Sequence, residues 1–403
     1  MGSNPKPIIV VVSPFIDKQH GTERRVAEWV SRLADVFAIH IYSQRVDDVD
    51  LSKVVWHRIP TLRGPHLLNY LWWFSANYVW RAWHRRFRGL QPDLVFSPGI
   101  NCLDADLVSV HVVFAEYLER FKKDLALSGN PVSAWLQILH RRLYYRFIAA
   151  LESHVYRNRD TTLFLIARRT SAELERHFGR HGPFPVVYLG LDHETFNPLV
   201  RSSLRDGARE GLGYERDRFV LLLIGNDLNN KGLPTLMKAV ASLAQLPLEI
   251  LVVSREKPSD YEGLNRLEGL EGQVRFRPPR KDIQFYYAAA DAYVGASIED
   301  TFSQPPAEAM ACGLPVIVSS TNGTSEIICN GVDGLILNEP KDVVSLSHMI
   351  QQLYCDENFR ERLAGNAVRT ALEFTWERNA AELRTLFEEA LQRKRTPAPQ
   401  QTG

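Results

Sequence analysis

The chain has little cysteine: four residues in 403, Cys102, Cys312, Cys329 and Cys355, lie far apart with no paired spacing. That argues against a disulfide framework or a cysteine zinc site and suits a reducing cytosol. No apolar run is long enough to span a bilayer, and the amino terminus reads as lacking a secretory signal. Net charge is scarce as well, +1 overall, which excludes a binder that holds nucleic acid through a global excess of positive charge. No GxGxxG follows the first apolar strand, so the usual dinucleotide fingerprint is missing. What is present is 45% hydrophobic residues over 403 positions, enough for two sizeable cores.

Short apolar runs alternate with helical patterns along the chain, which predicts parallel sheets covered on both faces. The most informative stretch is Glu299 to Pro315, EDTFSQPPAEAMACGLP. Before it, Ala292 to Ala296 reads as a buried strand. Asp300 then falls just past the strand's carboxyl end, where ligands bind in open α/β sheets. Pro305 and Pro306 suit the first turn of a helix starting near Gln304 or Pro305, and Gly313 suits its left-handed end. Glu308 falls in the first turns of that helix. A carboxylate there can accept hydrogen bonds from both hydroxyls of a ribose, while N–H groups around Phe302, Ser303 and Gln304 can meet phosphate or sugar oxygens. The plainer alternative has Asp300 capping the loop and Glu308 facing solvent.

About seventy residues upstream, the run Phe219 to Ile224 leads through Gly225-Asn226-Asp227-Leu228-Asn229-Asn230-Lys231-Gly232 into a helical pattern, Leu233 to Leu243. A buried strand feeding a glycine-flanked turn puts Lys231 near a helix start, where a compact point charge suits a diphosphate. A surface lysine in a turn is the alternative.

Taken in order, these pieces resemble the signature of family 4 of the retaining glycosyltransferases, enzymes of the B-type (GT-B) fold with two Rossmann-like domains facing each other across a cleft. That family's two acidic residues are separated by seven others, as are Asp300 and Glu308 here, although Asp300 stands where Glu is usual and Ser303 where a Gly often follows the Phe. In the resembled family the upstream loop carries an Arg and a Lys on the donor diphosphate; Asn226 stands at the arginine position, leaving Lys231 as the main positive charge. Val274 to Asp282 resembles the segment that receives the nucleotide base, where Arg280 either stacks on the base or is simply solvated. Gly21-Thr22, at a helix start after the first strand, resembles the loop near the donor phosphates, with one glycine where two are common. The resemblance places His111, at the end of a strand Leu107 to Val110, in the cleft against the transferred sugar or the acceptor; a satisfied core or surface histidine is the alternative. Glu326, in the turn Gly323-Thr324-Ser325-Glu326, reads as structural.

The implied organisation is an acceptor domain over 1–198, a nucleotide-sugar domain over 199–375, a helix over 376–393 crossing back to the first domain, and a disordered tail over 394–403. A polar hinge is expected between Pro198 and Asp217. The implied activity is retaining transfer of a hexose from a nucleotide-sugar, UDP-sugar before GDP-sugar, to a hydroxyl of a glycan or lipid-linked glycan. No cofactor or metal is expected. Asp104-Ala105-Asp106 matches the short acidic motif of metal-dependent A-type enzymes, but it sits in a loop away from the donor-site pieces and reads as structural. A scaffold subunit with the same fold, an epimerase and a phosphorylase remain as alternatives.

Charge is locally uneven. Leu67 to Arg88 holds Trp72, Trp73, Trp80 and Trp83 with Arg81, Arg85, Arg86 and Arg88 and no acid; a second basic-aromatic helix runs from Trp135 to Arg159. Either can dock on anionic lipid at the inner face of a membrane, or pack its rings on a sheet and turn its arginines to water.

Overall fold

A computed structural model describes residues 5–18, 21–62, 64–120, 122, 125 and 135–395. The chain forms two compact units, 1–188 with 376–403, and 189–375.

The first unit is built on a six-stranded sheet. Its strands are β1 (Ile8–Val12), β2 (Ala38–Ser43), β3 (Val55–Arg58), β4 (Leu94–Pro98), β5 (Leu107–Val110) and β6 (Thr162–Leu165). Their spatial order is β3-β2-β1-β4-β5-β6, and every pairing is parallel, with Val10 of β1 opposite His40 of β2 and Val95 of β4. Alternate residues of β1 feed opposite faces. Ile9 and Val11 join Trp29, Phe96 and Phe387 on one side, while Val10 and Val12 join Trp73, Val108 and Tyr156 on the other.

The second unit repeats the plan. Strands β7 (Phe219–Ile224), β8 (Leu248–Val253), β9 (Val274–Arg277), β10 (Ala292–Gly295), β11 (Val316–Ser319) and β12 (Leu335–Leu337) lie in the order β9-β8-β7-β10-β11-β12, again all parallel. In both units the order reverses beside the first strand, so the carboxyl ends of β1 and β4, and of β7 and β10, flank the positions where such sheets receive ligands.

The expected hinge is instead the helix Pro198–Leu212 of the second unit. Its entry is fixed by Asn197, whose Oδ1 accepts the Val200 N–H at 2.8 Å, and by Pro198 in the first turn. Its arginines are structural: Arg201 and Arg205 donate to the Ala290 carbonyl at 2.9 Å, and Arg209 holds Asp291 and three carbonyls. A polar stretch thus reads as a linker in sequence because its partners lie about eighty residues away. The segment 189–198 goes with the second unit as well. The helix Trp376–Arg395 belongs to the first, where Phe387 packs edge-on against Phe37 and Asn379 accepts from the Trp29 indole. Lys394 is in that helix's last turn; 396–403, most of the expected tail, lie outside the described residues.

The helix His66–Phe87 divides its aromatics. Trp73, Ala76, Asn77, Arg81 and His84 form one buried stripe at helical spacing, whereas Tyr78, Val79, Trp83 and Phe87 are exposed. Trp135–Arg157 buries Ile138, Ile148, Val155 and Tyr156 and exposes Trp135, Leu136, Leu139 and Leu143. Among the described residues no helix is long and apolar enough to cross a membrane.

Candidate functional site

In the second unit the lysine loop and the acidic loop meet. After β7 the chain turns through Gly225, Asp227 with a left-handed φ of 55°, and Gly232 with φ 83°, into the helix Leu233–Ala241. Two glycines set this geometry. A Cβ on Gly232 would lie 2.1 Å from the Ala296 carbonyl oxygen, so only glycine lets the helix start press on the end of β10. A Cβ on Gly225 would lie 3.0 Å from Lys231 Cε; its absence leaves the groove along which the lysine stem runs.

Lys231 Nζ forms an ion pair with Asp300 Oδ2, both side chains mostly buried. Asn230 ties the same two loops through their backbones. Its Nδ2 donates to the Glu299 carbonyl at 2.8 Å, its Oδ1 accepts the Glu299 N–H at 3.1 Å, and its own carbonyl accepts the Ile298 N–H at 2.7 Å. The loop after β11 completes the cluster: Asp300 donates its N–H to the Thr321 carbonyl at 3.2 Å and accepts the Gly323 N–H at 2.9 Å.

Phe302 and Ser303 are buried, and Gln304 opens the helix Gln304–Ala311 with Pro305 and Pro306 in its first turn. The Ser303 carbonyl accepts the Thr324 hydroxyl at 2.6 Å. Glu308 does not face solvent. It is buried, and its Oε2 accepts the Tyr287 hydroxyl at 2.8 Å. Burial and the nearby Glu308 charge hold that phenol well above its ordinary pKa, so Tyr287 is a donor at neutral pH. Asn226 turns to the neighbouring loop, its Oδ1 accepting the Arg255 N–H at 3.1 Å. Arg280 lies over the Phe285 ring, 4.0 Å from guanidinium carbon to centroid, and is held by Asp282 through bonds of 2.9 and 2.6 Å.

The remaining expected site residues belong to the first unit. Gly21 starts the helix Gly21–Leu33 and is exposed, with open space where a Cβ would go. His111 is buried between two hydroxyls, Ser109 Oγ at 2.8 Å from Nε2 and Thr22 Oγ1 at 3.4 Å from Nδ1. Burial, with the Arg25 charge added, pushes its pKa down to about 3, so it is a neutral hydrogen-bonding ring. Asp104 and Asp106 have structural partners: Arg81 grips Asp104 at 2.9 and 2.6 Å, and Asp106 accepts the Val95 N–H at 2.7 Å.

Asn230 and Tyr287 were not singled out in the sequence. Asn230 is one of two adjacent asparagines in the lysine loop, and Tyr287 lies 21 positions before its carboxylate partner with no local motif to mark it.

Two parallel sheets, each in the same strand order, place the chain in the GT-B class of folds. Residues 218–356, within the second unit, match the family described as Glycosyl transferases group 1. WaaG, a glycosyltransferase involved in lipopolysaccharide biosynthesis, superposes with a TM-score of 0.75 at 19% identity, over 94% of this chain and 99% of that one. Anabaena HepE, solved with UDP-glucose, superposes with a TM-score of 0.67 at 18% identity, over 95% and 99%. At such identities the likeness establishes the fold. Among curated proteins, a D-inositol 3-phosphate glycosyltransferase of Xylanimonas cellulosilytica is 28% identical over 255 residues, 61% of this chain and 59% of that protein. D-inositol 3-phosphate glycosyltransferase 1 of Catenulispora acidiphila is 30% identical over 245 residues, 56% and 57%. The matches thus span little more than half the length of these relatives.

Proposed function

We propose that this chain is a retaining glycosyltransferase that moves a hexose from a nucleotide-sugar, UDP-sugar before GDP-sugar, to a hydroxyl of a glycan or lipid-linked glycan, without a metal ion. The observation that carries this reading is the Lys231–Asp300 ion pair, which joins the loops after β7 and β10 within the residues, 218–356, that match the glycosyltransferase family. HepE, with its UDP-glucose, supports the choice of base.

In this mechanism Lys231 exchanges Asp300 for the donor diphosphate and neutralises the charge that grows on it as the sugar leaves. Asp300, released, accepts hydrogen bonds from the sugar. Glu308, oriented by Tyr287, receives the ribose hydroxyls; Asn226 adds a hydrogen bond near the phosphates and Arg280 offers a stacking face for the base. The N–H groups of Ser303 and Gln304 at the helix start face sugar or phosphate oxygens. The leaving phosphate oxygen takes the acceptor's proton as its hydroxyl attacks from the same face. In the first unit, neutral His111, set between the Ser109 and Thr22 hydroxyls, and the helix start at Gly21 are the groups that can hydrogen-bond a sugar hydroxyl.

The test is a thermal-shift screen with UDP, GDP, ADP and their sugars on wild type, Lys231→Ala and Glu308→Ala, with and without EDTA. A ligand at a hundred times its Kd adds about 2.7 kcal/mol. A shift with one nucleotide, lost in both variants and indifferent to EDTA, is expected. No shift with any nucleotide favours the second reading, a scaffold subunit, for which the observation is that Lys231 already holds a counter-charge and that Asn226 and Asp300 depart from the family pattern. An epimerase would instead release free nucleotide from its sugar without an acceptor product.

The exposed rings of Tyr78, Trp83 and Phe87, beside Arg85, Arg86 and Arg88, with Leu136 and Leu139 on the second basic helix, form the membrane-facing part of this proposal. Sedimentation with anionic and neutral liposomes checks it: binding that ignores lipid charge would remove it.

A further inference from the structure

Three histidines meet at the edge of the first unit's sheet. His40 and Tyr42 alternate onto one face of β2, His57 stands beside them on the edge strand β3, and His84 reaches them from the helix His66–Phe87. Nδ1 of His40 is 2.9 Å from Nε2 of His57. The His57 ring stacks on Tyr42 with centroids 4.5 Å apart, and the His84 ring lies 4.5 Å from it on another side. His84 Nδ1 meets the Tyr42 hydroxyl at 2.7 Å.

This cluster holds the end of a helix. Nearer the helix start, Asn77 and Trp73 reach Asn101 at 3.2 and 3.4 Å, and Arg81 grips Asp104. Of residues 82–88, His84 alone is buried, with Arg85 adding a longer contact to Asp104 at 3.5 Å. The His84 carbonyl also accepts the Arg88 and Leu90 N–H groups, at 3.0 and 3.3 Å, that close the helix. The turns bearing Trp83, Arg85, Arg86 and Phe87 thus rest on one buried imidazole and its partners.

The charge around the rings is positive. Arg81, Arg85 and Arg88 come from the helix and its end, and the Asp104 carboxylate is taken by Arg81 and Arg85. Arg58, next to His57, lies over Trp56 on the opposite face of the strand. The Tyr42 phenol is neutral, burial pushing it up to about 12. Among the described residues the histidines paired with a carboxylate are His177 and His181, and none of these three is.

Such a cluster has room for few protons. Neutral His40 and His57 share one at their contact, one nitrogen donating and the other accepting. A further proton on either ring leaves a cation among rings, without a counter-charge and in the field of Arg88; one more sets two N–H groups against each other across the same 2.9 Å. Burial and these neighbours hold all three imidazoles below their ordinary value, His57 at about 4. An opened helix end returns each ring to water and to its ordinary 6.5. The closed state is therefore fully favoured above pH 6.5 and loses ground as pH falls toward 4.

We propose that the imidazole cluster is an acid-sensitive latch, which at neutral pH holds the last turns of the helix His66–Phe87 on the sheet edge and on protonation releases them. The segment set free carries the exposed rings of Trp83 and Phe87 beside Arg85, Arg86 and Arg88, so the latch governs how that basic, aromatic end is presented. It belongs to the first unit alone and does not depend on the transferase reading.

Hydrogen–deuterium exchange of the full chain at pH 7.5, 6.5 and 5.5 tests it, with rates corrected for the intrinsic pH dependence of exchange. Peptides covering 78–88 report the latch, and peptides of β1 report opening of the whole unit. Protection over 78–88 should fall by at least about tenfold between pH 7.5 and 5.5, the factor that His57 supplies when its pKa differs by this much between open and closed states; β1 should lose several-fold less. His57→Phe, which keeps a flat ring on Tyr42 and takes no proton, should lose most of this response, and His111→Gln should keep it. If His57→Phe does not fold, His40→Asn, across the same contact, takes its place. Unchanged protection over 78–88 in acid, an equal fall in wild type and the latch variant, or a fall in β1 in step with 78–88 would each overturn the latch.

Discussion

The two units share a strand order and differ in what they place at their strand ends. The second gathers charge: a lysine and two carboxylates, held by loops that hydrogen-bond to one another through Asn230, Thr321 and Gly323. The first gathers rings, with neutral His111 in a hydroxyl pair and an aromatic cavity beside it. One sheet plan thus carries a charged cluster in one copy and a ring-lined cavity in the other, because the loops after the strands, and not the sheet, differ.

The sharpest way to separate the copies is Gly232→Ala. The new methyl would sit on the Ala296 carbonyl at a left-handed φ, so the second unit should lose on the order of 3 kcal/mol or more, while the first keeps its stability. Denaturant unfolding followed by hydrogen exchange in each unit checks this; equal losses in both would show that they unfold as one.

Lys231→Ala comes next. It should lower transfer by about 100-fold or more, as removal of one transition-state charge partner does, and a product assay with a UDP-sugar measures it. Activity within a few-fold of wild type would place the diphosphate elsewhere.

Acidification should act on the first unit. His111 has a folded pKa of about 3, below the ordinary 6.5, because burial and Arg25 oppose its charge, and its ring nitrogens meet the neutral hydroxyls of Ser109 and Thr22. The unfolded chain takes up the proton first, so stability present above pH 6.5 falls as pH drops toward 3, by at most about 1.4 kcal/mol per pH unit from this group. His57, held down to about 4 by burial and by the neighbouring His84 and His40, pulls in the same direction. Melting curves between pH 7 and 5 should show the loss, reduced in His111→Gln.

The smallest effect is expected from Asn230→Ala, about 1 kcal/mol of stability in the second unit. Its use in the comparison is kinetic: loosening the lysine loop from the acidic loop should raise KM for the donor more than it lowers kcat, and an unchanged KM would make Asn230 structural only.

The second unit was largely legible in the sequence because its signals are local. Phe219–Ile224 forms a strand at the expected positions, the helix starts at Gln304, and Gly313 takes a left-handed φ of 72° after it. What escaped depends on partners far apart in the chain: Tyr287 on Glu308, Asn230 on Glu299, and the arginines of Pro198–Leu212 on the carbonyls near Ala290. In the first unit the four tryptophans of one helix gave no sequence signal for which would be buried. Helical spacing assigns faces, but only the sheet's position decides that Trp73 packs inward while Trp83 does not.

The ion pair with Asp300 gives Lys231 a counter-charge from within the chain. On the proposed reading a diphosphate would exchange one counter-charge for another, so added salt should weaken its capture less than it would for a solvent-facing lysine. Inorganic anions abundant in the medium, which carry no sugar to satisfy the displaced aspartate, gain little by entering.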